Sequence, residues 1–272
     1  MRAHYQIDGT GWGTPFLLCP EVTNVDDPTL QKLAAANETD LYLSDISPLG
    51  VPFNNLRDNS SDIEKQRRFE ANKPGSACPK GHLVSNTEFT EKPICTASRR
   101  YQFLKLTALK KETLESEDRQ QKINQVIQKG CICSDLGEGV LIKYNIPAKH
   151  KRFSAVCPGP NLAYFSKITT LAEMTDHIYG RSSVLGAAHR PNMFIKELGL
   201  YVNYLSREFK KALPHPDEKQ LRYFEEFKEN LVKGINYYRN LFPNMLAKDS
   251  ILEDLRGLHT RLSTEPQITQ SL

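Results

Sequence analysis

The stretch GTGWGTPFLLCPEV, residues 9–22, poses the question on which the fold turns. Glycine recurs at Gly9, Gly11 and Gly13, and an apolar run over residues 15–19 follows at once. Glycine lets backbone N–H groups come close to an anion, so a loop of this kind suits a phosphate cradle. The pattern is G-x-G-x-G, and no helix opens directly behind it. That excludes the dinucleotide fingerprint, which needs strand, loop and helix in that order. The competing reading is a plain glycine turn between two strands. Residues 4–7 and 14–19 both read as short strands, the second buried. Trp12, the one tryptophan, is expected in the core.

Outward from this stretch the pattern becomes helical. In DDPTLQKLAAAN (26–37), Asp27 is expected to cap a short helix, with Pro28 in the first turn, where a missing N–H costs nothing. Residues 44–61, SDISPLGVPFNNLRDNSS, read as a loop punctuated by proline and glycine. SSDIEKQRRFEAN (60–72) is a helix capped by Ser60 or Ser61. After an irregular run over 73–98, one helix is expected over 98–111, with Tyr101, Leu104 and Leu109 inward. A second runs to 129, with Ile123, Val126 and Ile127 inward, and Gly130 closes it in a left-handed cap. A turn and a strand over 140–144 follow. Thr170 and Glu173 form a capping box at the head of a helix that stops at Gly180.

The last quarter has bundle patterning. Phe194, Leu198, Tyr201, Leu205 and Phe209 mark one helical face. Leu221, Phe224, Leu231, Ile235, Tyr238 and Phe242 mark a second, and Leu252, Leu255 and Leu262 a shorter third. The division expected is 1–40, 41–182, 183–263 for the helical extension, and 264–272 as a tail.

Composition narrows the function. The chain has 272 residues, enough for one large domain or two small ones, and 39% of them are apolar. The net charge of +4 is mild, and basic residues alternate with acidic ones, as in KKETLESEDRQQK (110–122). This reads as a solvated helix face and not as a nucleic-acid stripe. No apolar run is long enough to span a membrane, and the first residues show no secretory leader, so a cytoplasmic protein is expected.

Six cysteines in such a chain suggest metal, thiol chemistry or burial before disulfides. Cys78, Cys95, Cys131 and Cys133 follow the spacing C-x16-C-x35-C-x-C. A C-x-C pair can put two thiolates on one ion, so the four could hold zinc or an iron–sulfur cluster, with His82 of CPKGH as a substitute ligand. The paired C-x2-C knuckles of common zinc sites are absent, and buried free thiols are the competing reading. Cys19 reads as core, Cys157 as a turn residue, and His177 as a surface or satisfied core residue. No Ser–His–Asp or Cys–His set and no paired carboxylates stand out, so no catalytic residue is assigned.

Read together, several segments resemble a known family. GTPFLLCPEV (13–22) resembles the G-T-x-F segment that ends the last barrel strand of the nitronate monooxygenases, FMN-dependent flavoproteins on a TIM barrel. SPLGVPFNNL (47–56) is similar to the segment that follows that strand in a longer branch of NAD(P)H-dependent flavin oxidoreductases. SACPKGHLV (76–84), PICTASRRYQ (93–102) and GCICSDL (130–136) resemble that branch's spaced cysteines. VCPGPNLAYFSKITTLAEMTDHIYG (156–180) resembles its closing stretch.

The resemblance implies an α+β chain carrying the terminal strand of a TIM barrel, a cysteine-containing irregular domain and a helical extension. It implies that Gly13 and Thr14, joined by Gly11, touch the FMN phosphate. It implies a small-molecule substrate such as a nitronate, oxidised with flavin and oxygen. Most of a barrel of roughly 250 residues has no counterpart here. The chain alone is therefore expected to be inactive, and to associate with the rest of the barrel or with copies of itself. The alternative is a cysteine-based metal-binding module that docks a partner protein.

Overall fold

The computed structural model describes residues 11–77, 86–149, 151–165, 167–186, 190–212, 218–241 and 249–264. Among them the chain is mostly helical, with one two-stranded antiparallel hairpin and no barrel. The chain divides into two units, Met1–Ala188 and His189–Leu272.

The apolar run behind the glycines is a 3-10 helix, Thr14–Leu18, and not a barrel strand. Pro15 has no N–H to give a sheet ladder, and its fixed φ starts a helical turn. Phe16 N–H donates to the Gly13 carbonyl and Cys19 N–H to that of Phe16, both at 3.1 Å. Side chains three apart eclipse in such a helix, so Pro15 and Leu18 are both buried. The strand expected over 4–7 lies outside the described residues.

Helix α1, Asp27–Ala35, is capped by Asp26 in place of Asp27. Strands β1, Leu41–Ser44, and β2, Phe53–Leu56, pair from Leu41 opposite Leu56 to Ser44 opposite Phe53, with β2 inside the 44–61 segment that reads as loop. Helix α2, Ser60–Glu70, takes Asn59 as its cap, not Ser60 or Ser61. Helix α3, Arg99–Lys111, starts at a Ser98 cap, and α4 covers Ser116–Gln128. Gly130 is not in the left-handed region, which holds Gly50, Gly75 and Gly180 instead.

The second departure is α5, Ile132–Lys143, a helix where residues 140–144 suggest a strand. It buries Gly139 against the backbone of Asn24 and Val25, close enough that an added Cβ would lie 3.6 Å from each. Helix α6, Leu171–Ile178, opens with the expected capping box of Thr170 and Glu173.

The main core of this unit gathers Leu18, Cys19, Leu33, Leu56, Val156, Leu162, Phe165 and Met174. Segments far apart in sequence meet there. Thr169 N–H donates to the Leu18 carbonyl at 3.0 Å. A smaller cluster, Leu106, Leu109, Val126 and Ile127, seals α3 against α4.

The second unit is built from α7, Met193–Ala212, α8, Glu218–Leu241, and α9, Asp249–Thr264. Its core joins Val202, Leu205, Phe209, Leu221, Phe224, Ile235, Leu255, Leu258 and Leu262. Phe209 meets Phe224 edge to face at 5.8 Å. No helix among the described residues is long and apolar enough to cross a membrane.

Candidate functional site

The glycine loop comes first. Gly9 lies outside the described residues. A Cβ built on Gly11 or Gly13 would meet nothing within 4 Å, so neither glycine is needed for close approach within this chain. Thr14 serves the fold: its hydroxyl accepts the Gly159 N–H at 3.1 Å. A Cβ on Gly159 would stand 2.7 Å from that oxygen, so a larger residue at 159 would displace the Thr14 hydroxyl. Trp12 is 40% exposed and is not a core residue. Gly11, Gly13 and Thr14 therefore do not enclose a flavin by themselves.

The cysteines divide differently. Cys78 and His82 lie outside the described residues. Cys131 is the buried N-cap residue of α5, and Cys133 is exposed one residue into its first turn. Their sulfurs stand 3.9 Å apart. Cys95 is buried. Among the described residues no three or more histidine, cysteine or carboxylate side chains gather in a metal-ligand group. Cys19 is fully buried, its Sγ 3.4 Å from the Thr169 hydroxyl, and burial pushes its thiol up despite that contact. Cys157 is an exposed residue outside any helix or strand, and desolvation raises its thiol as well. Both shifts disfavour a thiolate nucleophile.

Two polar features escape sequence reading. Beside a cavity of about 350 Å³, Asp26 accepts from Thr29 N–H, from the Thr29 hydroxyl and from the Ser154 hydroxyl. Ser154 N–H donates in turn to the Ser60 hydroxyl at 2.8 Å. This seam pins residue 154 to the heads of α1 and α2. The Asp26 carboxylate is shared between the α1 cap and the Ser154 hydroxyl, and no histidine or lysine joins these hydrogen bonds among the described residues. Further along, Ser61 donates to Asp135 Oδ2 at 2.5 Å, and burial holds that carboxyl above the usual carboxylate range. His177 is half-buried, edge-on to Phe165 at 5.6 Å, with no hydrogen-bond partner for Nδ1.

No protein-family model, no curated protein and no solved structure matches this chain.

Proposed function

We propose that the 1–188 unit is the C-terminal portion of an FMN-dependent oxidoreductase resembling the nitronate monooxygenases, and that it contributes no catalytic residue of its own. One observation carries the reading. The first and last segments of the resemblance, 13–22 and 156–180, close on each other through the Thr14–Gly159 and Thr169–Leu18 hydrogen bonds and share one core. Leu56, from the 47–56 segment, packs into that same core. Segments whose order matches the family thus behave as one structural unit. The flavin, when bound, would supply the redox chemistry. The open space around Gly11 and Gly13 is consistent with a phosphate cradle completed by residues outside this chain.

The test is to extend expression into the reading frame upstream of codon 1. The longer product is expected to purify with FMN and to oxidise a nitronate, while the 272-residue chain does neither. Nitronate turnover by the 272-residue chain itself would refute the claim that it is inactive alone. A stop codon immediately upstream would remove the oxidoreductase reading.

One observation favours the second reading, a cysteine-based metal module. Two thiolates, each about 2.3 Å from a tetrahedral zinc ion, stand about 3.8 Å apart. The 3.9 Å between Cys131 and Cys133 matches that separation. Elemental analysis separates the readings. One zinc or iron per chain, released by Cys131→Ser together with Cys133→Ser, supports the module; a metal-free chain with unchanged stability in the variant excludes it.

A further inference from the structure

A separate cavity of about 590 Å³ opens where residues 72–74 lie across the start of α3. Lys73, Arg99 and Arg100 line it together with Phe89, Phe103 and Leu104, and among the described residues no carboxylate does. Helical spacing of three and four residues puts Arg99, Arg100, Phe103 and Leu104 on one face. Arg99 and Arg100 occupy the first turn of α3, which holds no acidic residue, and there the helix dipole disfavours positive charge. Neighbouring cations are paired: Lys65 with Asp62, Arg67 and Arg68 with Glu64, Lys105 with Glu88. The side chains of Lys73, Arg99 and Arg100 have no such partner among the described residues.

The backbone beneath these exposed cations is tied down. Lys73 N–H is tied to the Arg68 carbonyl at 2.8 Å, and Arg99 N–H to that of Ser76 at 3.0 Å. Gly75, at φ +77°, lies so close to Arg99 that an added Cβ would be 2.8 Å from its Cα. Phe89 leans on buried Tyr101 at 5.7 Å, and the Tyr101 hydroxyl donates to Glu88 at 2.7 Å. Phe103 is 60% exposed, a large apolar face left uncovered beside three cations.

We propose that this cavity binds a phosphorylated aromatic ring of mononucleotide size. The phosphate sits on Lys73, Arg99 and Arg100, and the ring lies against Phe103, Phe89 and Leu104. Guanidinium forks pair with phosphate oxygens two at a time, and a phosphate near two negative charges answers three cations better than a carboxylate. Exposed phenylalanine faces stack a planar ring of any identity. The volume falls within the range of small-ligand sites. Arg99 and Arg100 lie in the 93–102 segment of the resemblance, but none of these residues is among the proposed flavin-phosphate contacts or cysteine ligands, so the proposal is tested apart from them.

The experiment titrates the full chain by calorimetry with adenosine monophosphate, with adenosine and with inorganic phosphate. The nucleotide is expected to bind at least about ten-fold more tightly than either part. Arg99→Gln with Arg100→Gln is expected to weaken it about ten-fold or more, and Phe103→Ala several-fold, with unchanged circular dichroism. Phe103→Ala removes an exposed ring, so it keeps the test decisive if the double variant folds poorly. Phosphate binding as tightly as the nucleotide overturns the proposal. So does nucleotide affinity that is undetectable or indifferent to all these substitutions. Tighter binding of a single-stranded oligonucleotide than of the mononucleotide also overturns it, and would mark a nucleic-acid surface instead.

Discussion

Asp26 shows how a single side chain can organise distant backbone. Its carboxylate caps α1 through Thr29 N–H and also holds the Ser154 hydroxyl at 2.7 Å. The sequence reading places the cap at Asp27, and the structure places it at Asp26. The choice falls to Asp26 because Ser154, 128 residues away, approaches from its side. Asp26→Ala removes a cap and leaves buried donors unpaired, so it is expected to cost about 2–3 kcal/mol in denaturant titration. Asp135 makes a prediction of opposite character. Burial disfavours its charged form, more than Ser61 and the nearby Lys65 and Arg68 favour it. Its folded pKa is therefore raised above the unfolded value of about 3.9. Its contribution to stability is full below about pH 4 and is lost as pH rises through the folded value. Asp135→Asn, which still accepts from Ser61, should flatten that decline relative to the parent when unfolding midpoints are compared across pH.

At the scale of elements, two segments depart from what local pattern suggests. Residues 14–18 form a 3-10 helix because Pro15 withholds a ladder donor and burial falls three residues apart. A five-residue apolar run cannot itself distinguish strand from helix. Residues 132–143 form a helix although Gly137 and Gly139 weaken it and β-branched residues favour a strand. Gly139 lets α5 reach the 24–25 backbone. Gly137 is exposed, and a Cβ there would meet nothing within 4 Å. Gly137→Ala is thus expected to stabilise the first unit by about 0.5–1 kcal/mol. The turn expected ahead of a strand over 140–144 would predict no such gain. Gly234, within α8 and likewise with open space, should behave in the same way for the second unit.

At the scale of the whole molecule, two separate cores follow the division of the chain near residue 188. Leu162 is fully buried in one core and Ile235 in the other. Each truncation to alanine is expected to cost about 2–5 kcal/mol. Calorimetry should show Leu162→Ala lowering one transition and Ile235→Ala another, each leaving the second in place. A single transition shifted by both substitutions would mean that the two cores unfold as one.

Periodicity alone marked the three helices of the last quarter, because their apolar faces recur over many turns and each turn repeats the signal. The α6 capping box was equally legible, since it is satisfied within four residues. The α1 cap, the helical state of 132–143 and the role of Thr14 were decided by tertiary structure. For these the partner comes from outside the local window: Ser154 for Asp26, the 24–25 backbone for Gly139, Gly159 for Thr14. Lys73 and Arg99 likewise lie 26 positions apart in sequence, and the 72–76 loop brings them to one cavity. Local pattern encodes what a residue needs from its own turn; which distant group meets that need depends on how the chain closes on itself.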